Sequence, residues 1–328
     1  MVRLLLIIGF SSSIFIACTQ EERHQNKYDL VSIENEHLKI IALPEVGGRV
    51  VHLSVPGKDN IFKADTVLWQ EARNLKPGMG TINEYKPYHG HVVWLGPMSA
   101  WWQHQNLYPG KKTNGSRWPP DPFLDYGDHT WQKTGNNLKM TGPSSPISGV
   151  KIEKVITVDH QLPKVTFSAT TTNIRDTSLG FDLWFNTRLD ANCRCYVPVN
   201  DLEDIWFKTK TNALYDTLNY QLQNGFFTFV PPQDFKKQFH TSKAFIHPSK
   251  PYMAAFCHEQ VLIISFPFHS RDSIHPEQAM VEIFNQFSNA EEENLLEWNI
   301  IHPFKKLVQA KHTPHMKTGG SMNLWKKM

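Results

Sequence analysis

Residues 150–169 read VKIEKVITVDHQLPKVTFSA, two runs in which apolar and other side chains alternate. The apolar positions are Val150, Ile152, Ile156 and Val158 in the first run and Val165, Phe167 and Ala169 in the second. Because successive side chains of a strand point to opposite faces, this period of two predicts half-buried β-strands. The alternation recurs elsewhere, as at Val51, Leu53 and Val55, and no long window repeats at helical spacing. The sequence therefore predicts an all-β fold.

The amino terminus has the features of an export signal. One basic residue, Arg3, precedes an apolar stretch from Leu4 through Ala17 that is too short to span a bilayer. The stretch ends in Phe15-Ile16-Ala17-Cys18, which resembles the lipobox of bacterial lipoproteins. An ordinary secretory signal cleaved nearby and a short membrane anchor are the alternatives. We predict a signal peptide over residues 1–17 and lipidation of Cys18.

The remainder of the chain is expected to form one domain on a tether. Residues 18–27 are polar and predict a flexible link after the lipidated cysteine. Residues 28–328 show no interdomain linker and predict a single β domain. The net charge is +3 and no basic run exceeds a short pair, which argues against a nucleic-acid partner. The expected location is the cell envelope, on its periplasmic or outer surface, with lipid as the only membrane contact.

Three cysteines remain beyond the anchor: Cys193, Cys195 and Cys257. Cys193 and Cys195 are only two residues apart, and the extended backbone of a strand would hold their side chains too far apart for a disulfide, so they are not expected to bond each other. A disulfide from either one to Cys257 stays open, because sequence spacing alone does not bring them together. No paired-cysteine pattern typical of zinc sites is present.

Three segments resemble, in order, the galactose mutarotase-like superfamily. The first segment comprises Asn35-Glu36-His37-Leu38-Lys39-Ile40, Pro44, Gly47-Gly48-Arg49-Val50 and Asn60-Ile61-Phe62. The second is Tyr88-His89-Gly90-His91-Val92-Val93-Trp94-Leu95-Gly96-Pro97, followed by Trp101 and Trp102. The third comprises Val281-Glu282-Ile283-Phe284-Asn285, Leu296-Glu297-Trp298-Asn299, Pro303 and Leu324-Trp325. The resemblance implies a β-supersandwich of large antiparallel sheets with long aromatic-rich loops and a carbohydrate cleft on its concave side. In the first motif, paired glycines allow a bulge or a positive φ between two strands.

The resemblance also implies a candidate base, Glu297, in the strand whose glutamate is the base of true mutarotases. Anomer exchange needs a base at the anomeric hydroxyl and an acid at the ring oxygen. True mutarotases carry a histidine shortly before a tyrosine-phenylalanine-asparagine sequence, and the nearest match here, residues 182–186, has Asp182 instead. With an ordinary pKa that aspartate would be ionised and unable to donate. A glutamate facing solvent or pairing with a lysine is the alternative for Glu297.

His89 and His91 remain as candidate catalytic acids. Two residues apart on a strand, they would point to the same face. That geometry also suits a metal site, which would need a third ligand such as Glu84 or His104. Packing among the neighbouring tryptophans is the alternative. No spacing motif identifies a third ligand, so no metal and no cofactor is predicted.

The block from Trp69 to Trp131 is rich in aromatic residues, histidine, proline and glycine, and it predicts long loops around a site. Aromatic rings cover the apolar faces of pyranoses while polar side chains bind the hydroxyls. Arg117 would bind an acidic sugar or stack on the neighbouring Trp118. The predicted substrate-binding residues are Trp94, Trp101, Trp102, Arg117 and Arg49.

We therefore predict an exported lipoprotein that recognises carbohydrate, a mono- or oligosaccharide, in a concave cleft. One alternative is an aldose 1-epimerase-like enzyme that uses Glu297 as base with a histidine as acid. Another is a polysaccharide-processing hydrolase or lyase. Convergence of Glu297, His89 and His91 in one cleft would favour an enzyme, whereas an aromatic platform without an acid–base pair would favour binding alone.

Overall fold

The computed structural model describes residues 27–64, 66–70, 76–208, 220–229, 240–287, 294–307 and 316–326. The predicted signal peptide and Cys18 lie outside the described residues. Within those ranges, no helix combines the length and the apolar character needed to cross a membrane.

The described residues are mostly strands, with a few short helical turns. In chain order the strands are β1 (Val31–Glu34), β2 (Lys39–Leu43), β3 (Arg49–Ser54), β4 (His91–Gly96), β5 (Thr130–Thr134), β6 (Asn137–Thr141), β7 (Val150–Val158), β8 (Lys164–Asn173), β9 (Leu179–Leu189), β10 (Arg194–Pro198), β11 (Ile205–Lys208), β12 (Tyr220–Gln223), β13 (Phe226–Phe229), β14 (His240–Ile246), β15 (Tyr252–Cys257), β16 (Gln260–Ser265), β17 (Val281–Phe287), β18 (Leu295–Ile301), β19 (Lys305–Leu307) and β20 (Met316–Lys326). The helices are α1 (Pro109–Thr113) and α2 (Pro122–Asp125), with 3₁₀ turns at Leu68–Gln70, Met98–Ala100, Leu202–Asp204 and Arg271–Ser273.

These strands form two ten-stranded sheets. The first, here called the site sheet, has the order β1-β2-β3-β4-β9-β18-β17-β14-β11, and β19 also pairs with β9. The second has the order β12-β13-β10-β15-β16-β20-β8-β7-β6-β5. The runs at 150–158 and 164–173 pair antiparallel, and the burial of β7 alternates as the sequence predicts. Two large antiparallel sheets agree with the predicted β-supersandwich.

The two faces of the site sheet have different roles. On β9, Leu183 and Phe185 face the main core, where they join residues of the second sheet such as Ile156. The alternate residue Trp184 belongs to a separate apolar cluster on the opposite face. We call that opposite face the site face, because the long loops between β3 and β5 cover it.

The turn between β2 and β3 explains the paired glycines. Gly47 and Gly48 have φ of 66° and 56°, as the sequence predicts. A Cβ on Gly47 would lie 2.3 Å from the backbone oxygen of Asp125. Glycine is therefore required both for the left-handed conformation and for the close approach of α2.

The alternative left open for the cysteines is resolved in favour of Cys193. It forms a disulfide with Cys257, and their Cα atoms are 4.8 Å apart. Cys195, two residues further along on β10, is free and buried. The segment 289–296, assigned no state from sequence, becomes strand β18 at Leu295, and residues 289–293 lie outside the described ranges.

Candidate functional site

Two adjoining cavities open on the site face. The first chamber has a volume of about 700 Å³ and the second about 500 Å³. Both are lined by Met98, Trp118, Trp184, Lys243 and Phe284. The first chamber is also lined by Tyr85, Pro87, His89, Trp94, Arg188, Gln286, Leu295 and Glu297, and the second by Arg117, Thr241, Ser242, Phe245, Glu277, Gln278 and Glu282. Each volume lies in the range of about 300–1,000 Å³ typical of small-molecule sites.

Glu297 and Arg188 form an ion pair in the first chamber. They lie directly opposite each other on β18 and β9. Arg188 Nε donates to Glu297 Oε2 at 3.2 Å, and Asn299 Nδ2 donates to Glu297 Oε1 at 3.1 Å. The Arg188 guanidinium also lies 4.8 Å from the ring centre of Trp94. The pair places a carboxylate that can accept a proton beside an aromatic wall.

His89 lines the same chamber from the segment before β4. It has φ of 55° and is followed by Gly90 with φ of 73°, so the backbone here is not extended. His89 is 8% exposed as a residue, and its Nδ1 has no hydrogen-bond partner among the described residues. Burial, together with the nearby charge of Arg188, lowers the pKa of His89 well below its usual value. His89 is thus a neutral imidazole with one donor and one acceptor nitrogen.

Trp94 and Trp118 form the aromatic wall of the first chamber. Trp94 Nε1 donates to Asp125 Oδ1 at 2.9 Å, which fixes the ring. The two rings meet edge to face at 6.2 Å, and Trp118 is 46% exposed. Because Trp118 lines both chambers, its face is open to a ligand in either one.

Comparison with known proteins places this architecture in a family. The family model described as Domain of unknown function (DUF4380) matches residues 29–318. The chain belongs to the DUF4380 family. A search of curated proteins by sequence gave no match.

Solved structures show what the DUF4380 fold is similar to. A putative aldose 1-epimerase from Klebsiella pneumoniae subsp. pneumoniae MGH 78578 has a TM-score of 0.57 at 10% identity, over 91% of this chain and 80% of that one. A second putative aldose 1-epimerase, from Escherichia coli K12, has a TM-score of 0.53 at 10% identity, over 91% of this chain and 99% of that one. A TPR-domain protein from Parabacteroides distasonis ATCC 8503 has a TM-score of 0.55 at 11% identity, over 92% of this chain and 47% of that one, so this chain spans about half its length. Such identities show the fold, which is galactose mutarotase-like.

His91 does not share the cleft with His89, contrary to the sequence prediction. It lies between the sheets, 4.7 Å from Phe167 between ring centres, and its Nδ1 bonds Thr187 Oγ1 at 2.9 Å. The same-face prediction is wrong because the positive φ at His89 and Gly90 breaks the period of two before β4 begins. The two histidines therefore form no metal-binding pair. Across the described ranges, no three His, Cys, Asp or Glu side chains are grouped to hold a metal.

The burial of His91 in the DUF4380 core predicts a measurable pH effect. Burial lowers the pKa of His91 to about 3, whereas the unfolded chain binds a proton near pH 6.5. Stability from the neutral side chain is complete above pH 6.5 and is lost as the pH falls towards 3. When the pH falls from 7 to 5, the wild type should lose about 2 kcal/mol of its free energy of unfolding through His91 alone. The His91→Asn variant should not show this part of the loss.

Urea unfolding at both pH values measures this difference. His160→Asn, at an exposed histidine on a turn, is the matched control and should follow the wild type. Equal pH dependence in all three proteins would contradict the assignment of His91 to the core.

Trp101 and Trp102 support the aromatic wall but line neither chamber. Trp101 Nε1 donates to Leu95 O at 2.6 Å, and its ring packs 5.6 Å from that of Trp94. Trp102 is fully buried, and its Nε1 donates to Pro119 O at 3.0 Å. The sequence prediction that both contact the ligand is wrong, because both rings lie under the loop that carries Trp118.

The two predicted arginines occupy different environments. Arg49 is fully buried, bonds Asp125 Oδ1 at 2.8 Å and donates to His89 O at 2.9 Å. It lines neither chamber, so the prediction of direct binding is wrong and Arg49 instead positions the His89 backbone. Arg117 lines the second chamber with its side chain 54% exposed and pairs with Glu277 at 3.3 Å.

Asp182 differs from the sequence prediction in its protonation. It is fully buried on the site face of β9, where burial and then the charge of Glu282 raise its pKa well above the usual value. The carboxyl is therefore protonated under conditions where an exposed aspartate is ionised. It lines neither chamber, because the side chain of Gln278 lies beside it at the second chamber.

Sequence reasoning missed several residues that line the DUF4380 chambers, notably Trp184, Arg188, Lys243, Gln278 and Glu282. For Trp184 and Arg188, the alternation of side chains along β9 could have indicated that they share the site face. Asp182 shares a face with Trp184 and Arg188 at spacings of two and six residues. Along β17, the same alternation places Glu282 and Phe284 on one face, because they are two residues apart. Gln278 precedes β17 in a loop, and no local pattern marks it.

Proposed function

We propose that this DUF4380 protein binds carbohydrate in the first chamber. The observation that supports it is the combination of aromatic faces with buried polar atoms that lack partners. Trp94 and Trp118 present rings, while His89 Nδ1 and Arg188 Nη1 have no hydrogen-bond partner among the described residues. A buried polar atom without a partner costs about 1–3 kcal/mol. Sugars carry apolar C–H faces and hydroxyl groups, which suits both features.

The fold is consistent with this proposal. The structures of similar fold include two that are named putative aldose 1-epimerases, and aldoses are sugars. The fold alone does not fix the function, so the proposal depends on the chamber itself.

The test is a pair of tryptophan variants that are matched for exposure. Trp118 and Trp131 are both 46% exposed, but Trp131 lies on β5 and lines neither chamber. Trp118→Ala should weaken sugar binding about tenfold, as expected from the loss of an aromatic face worth about 0.5–1.5 kcal/mol beyond its area. Trp131→Ala should leave the affinity unchanged.

Calorimetry on the best sugar from a thermal-shift screen gives the affinities. The proposal fails if no sugar in a broad panel binds, or if both variants bind as the wild type does.

A second candidate is aldose 1-epimerase activity, favoured by the presence of a carboxylate and an imidazole in one chamber. Glu297 would take the proton of the anomeric hydroxyl, while the N–H of the neutral His89 imidazole would donate a hydrogen bond to the ring oxygen and solvent water would supply the proton that this oxygen gains. The C1–O5 bond then breaks, and the aldehyde forms. Rotation of the carbonyl and closure with the reverse proton transfers would give the other anomer. The rate of α to β exchange, followed by NMR of freshly dissolved sugar, tests this activity in the wild type.

We further propose that residues 28–328 form one domain that is held at a membrane in the cell envelope by lipid on Cys18. The support is the lipobox-like sequence before Cys18 and the polar tether after it. Cys18→Ser is expected to lose membrane association and to partition into the aqueous phase of a detergent extraction. Cys195→Ser, at a buried free cysteine, is the control and should stay with the detergent. Partition of Cys18→Ser with the detergent would refute the anchor.

A further inference from the structure

We infer that the cleft binds a neutral glycan at least two sugar units long, with one unit in each chamber. The inference depends on carbohydrate binding in the first chamber. Its geometric basis is that the two cavities are contiguous and that each is large enough for a small-molecule ligand. Trp118 borders both, and so does Trp184, so one continuous ligand can contact the two chambers.

The second chamber has its own polar group ready for a ligand. Gln278 is 6% exposed, and its amide lies between the buried carboxyl of Asp182, with which it interacts, and the second chamber that it lines. An amide offers both donors and an acceptor, which is what a sugar hydroxyl requires. This buried amide indicates a polar occupant for the second chamber.

The junction between the chambers carries groups that face both of them. Trp184 Nε1 has no partner among the described residues, although the ring is buried. Lys243 Nζ lies 4.7 Å from the ring centre of Trp184 and 5.1 Å from that of Phe245. Lys243 thus connects an aromatic ring at the junction with another in the second chamber.

The aromatic surface continues beyond one sugar ring. Three strand spacings separate β9, which carries Trp184, from β14, which carries Phe245, a distance of about 14 Å. Phe245 stacks on Trp206 of β11 with ring centres 5.5 Å apart. This length exceeds a single pyranose and matches a short chain of sugars.

The charges of the second chamber favour an uncharged glycan. Lys243 pairs with the buried Glu282 at 2.5 Å, and Arg117 pairs with Glu277 at 3.3 Å. Each cation therefore already has a carboxylate partner, which leaves the chamber without an excess charge for an acidic sugar. Paired charges still offer hydrogen bonds to hydroxyls.

The experiment compares affinity with glycan length. Glucose, galactose and xylose are titrated calorimetrically against the full chain, alongside cello-, galacto- and xylo-oligosaccharides of two to four units. The best oligosaccharide is expected to bind at least tenfold more tightly than its monosaccharide. Equal affinity for monosaccharide and oligosaccharide would overturn the inference while leaving binding in the first chamber intact.

Two variants test whether the increase in affinity from monosaccharide to oligosaccharide comes from the second chamber. Gln278→Leu removes the buried amide, and Arg117→Ala shortens a side chain that is 54% exposed. In each, the gain from lengthening the glycan should fall below threefold, whereas Trp131→Ala should keep the full gain. A full gain in both chamber variants would overturn the inference. Failure of every sugar to bind would instead remove the proposed function and this inference with it.

Discussion

Under the proposed aldose 1-epimerase activity, replacing Glu297 with glutamine is expected to slow anomer exchange about 10²–10⁴-fold, the usual contribution of a general base. Sugar affinity should change far less, because the amide keeps the size of the side chain and an oxygen that Arg188 can bond. The loss should appear in the exchange rate at saturating sugar. NMR measurements of exchange together with calorimetry separate the two effects.

A control is needed because the substitution also removes the partner of a buried arginine. Asp121→Asn makes the same change from carboxylate to amide at a buried site that lines neither chamber. It should retain wild-type exchange, and circular dichroism should show that both variants are folded. A Glu297→Gln protein that exchanges anomers at the wild-type rate would exclude Glu297 as the base.

Arg49→Met is expected to lower the free energy of unfolding by about 3–5 kcal/mol, as is typical when one partner of a buried ion pair is removed. Arg49 and Asp125 both lie fully inside the protein, 2.8 Å apart. Without the guanidinium, Asp125 would be a buried charge without its counter-ion, and it also accepts the indole N–H of Trp94. The substitution should therefore also weaken sugar binding through the aromatic wall.

Denaturant unfolding of three proteins tests this prediction. Arg194→Met, at an exposed arginine of β10, should change stability by less than about 0.5 kcal/mol. The double variant Arg49→Met/Asp125→Leu should recover part of the loss, because no unpaired charge is left buried. A loss below about 1 kcal/mol in Arg49→Met would contradict a central role for the pair.

The fold was predictable because its signals are local. Alternation along β7 and β8 depends only on the geometry of neighbouring residues, and the left-handed turn at Gly47 and Gly48 depends on a conformation that glycine adopts freely. The resemblance to mutarotases added the arrangement of the sheets. The disulfide partner of Cys257 was not predictable, since it depends on which strands become neighbours.

The site was predictable only in part, for related reasons. Glu297 and Trp94 line the first chamber because they lie within regular strands, where a period of two is reliable. His91 was misplaced because positive φ at a histidine is uncommon and no local pattern announces it. The protonation of Asp182 follows from burial, which sequence spacing does not reveal.

The division of the first chamber between sheet and loops has an evolutionary consequence. Arg188 and Glu297 are fixed by paired strands, whereas Trp118 comes from a connecting segment. Loops accept substitution, insertion and deletion more readily than the strands they join. Descendants of this protein can therefore acquire new ligand preferences through changes in the loop that carries Trp118, while the ion pair of Arg188 and Glu297 on the sheet stays unchanged. Laboratory diversification of ligand preference would begin at residues 109–120.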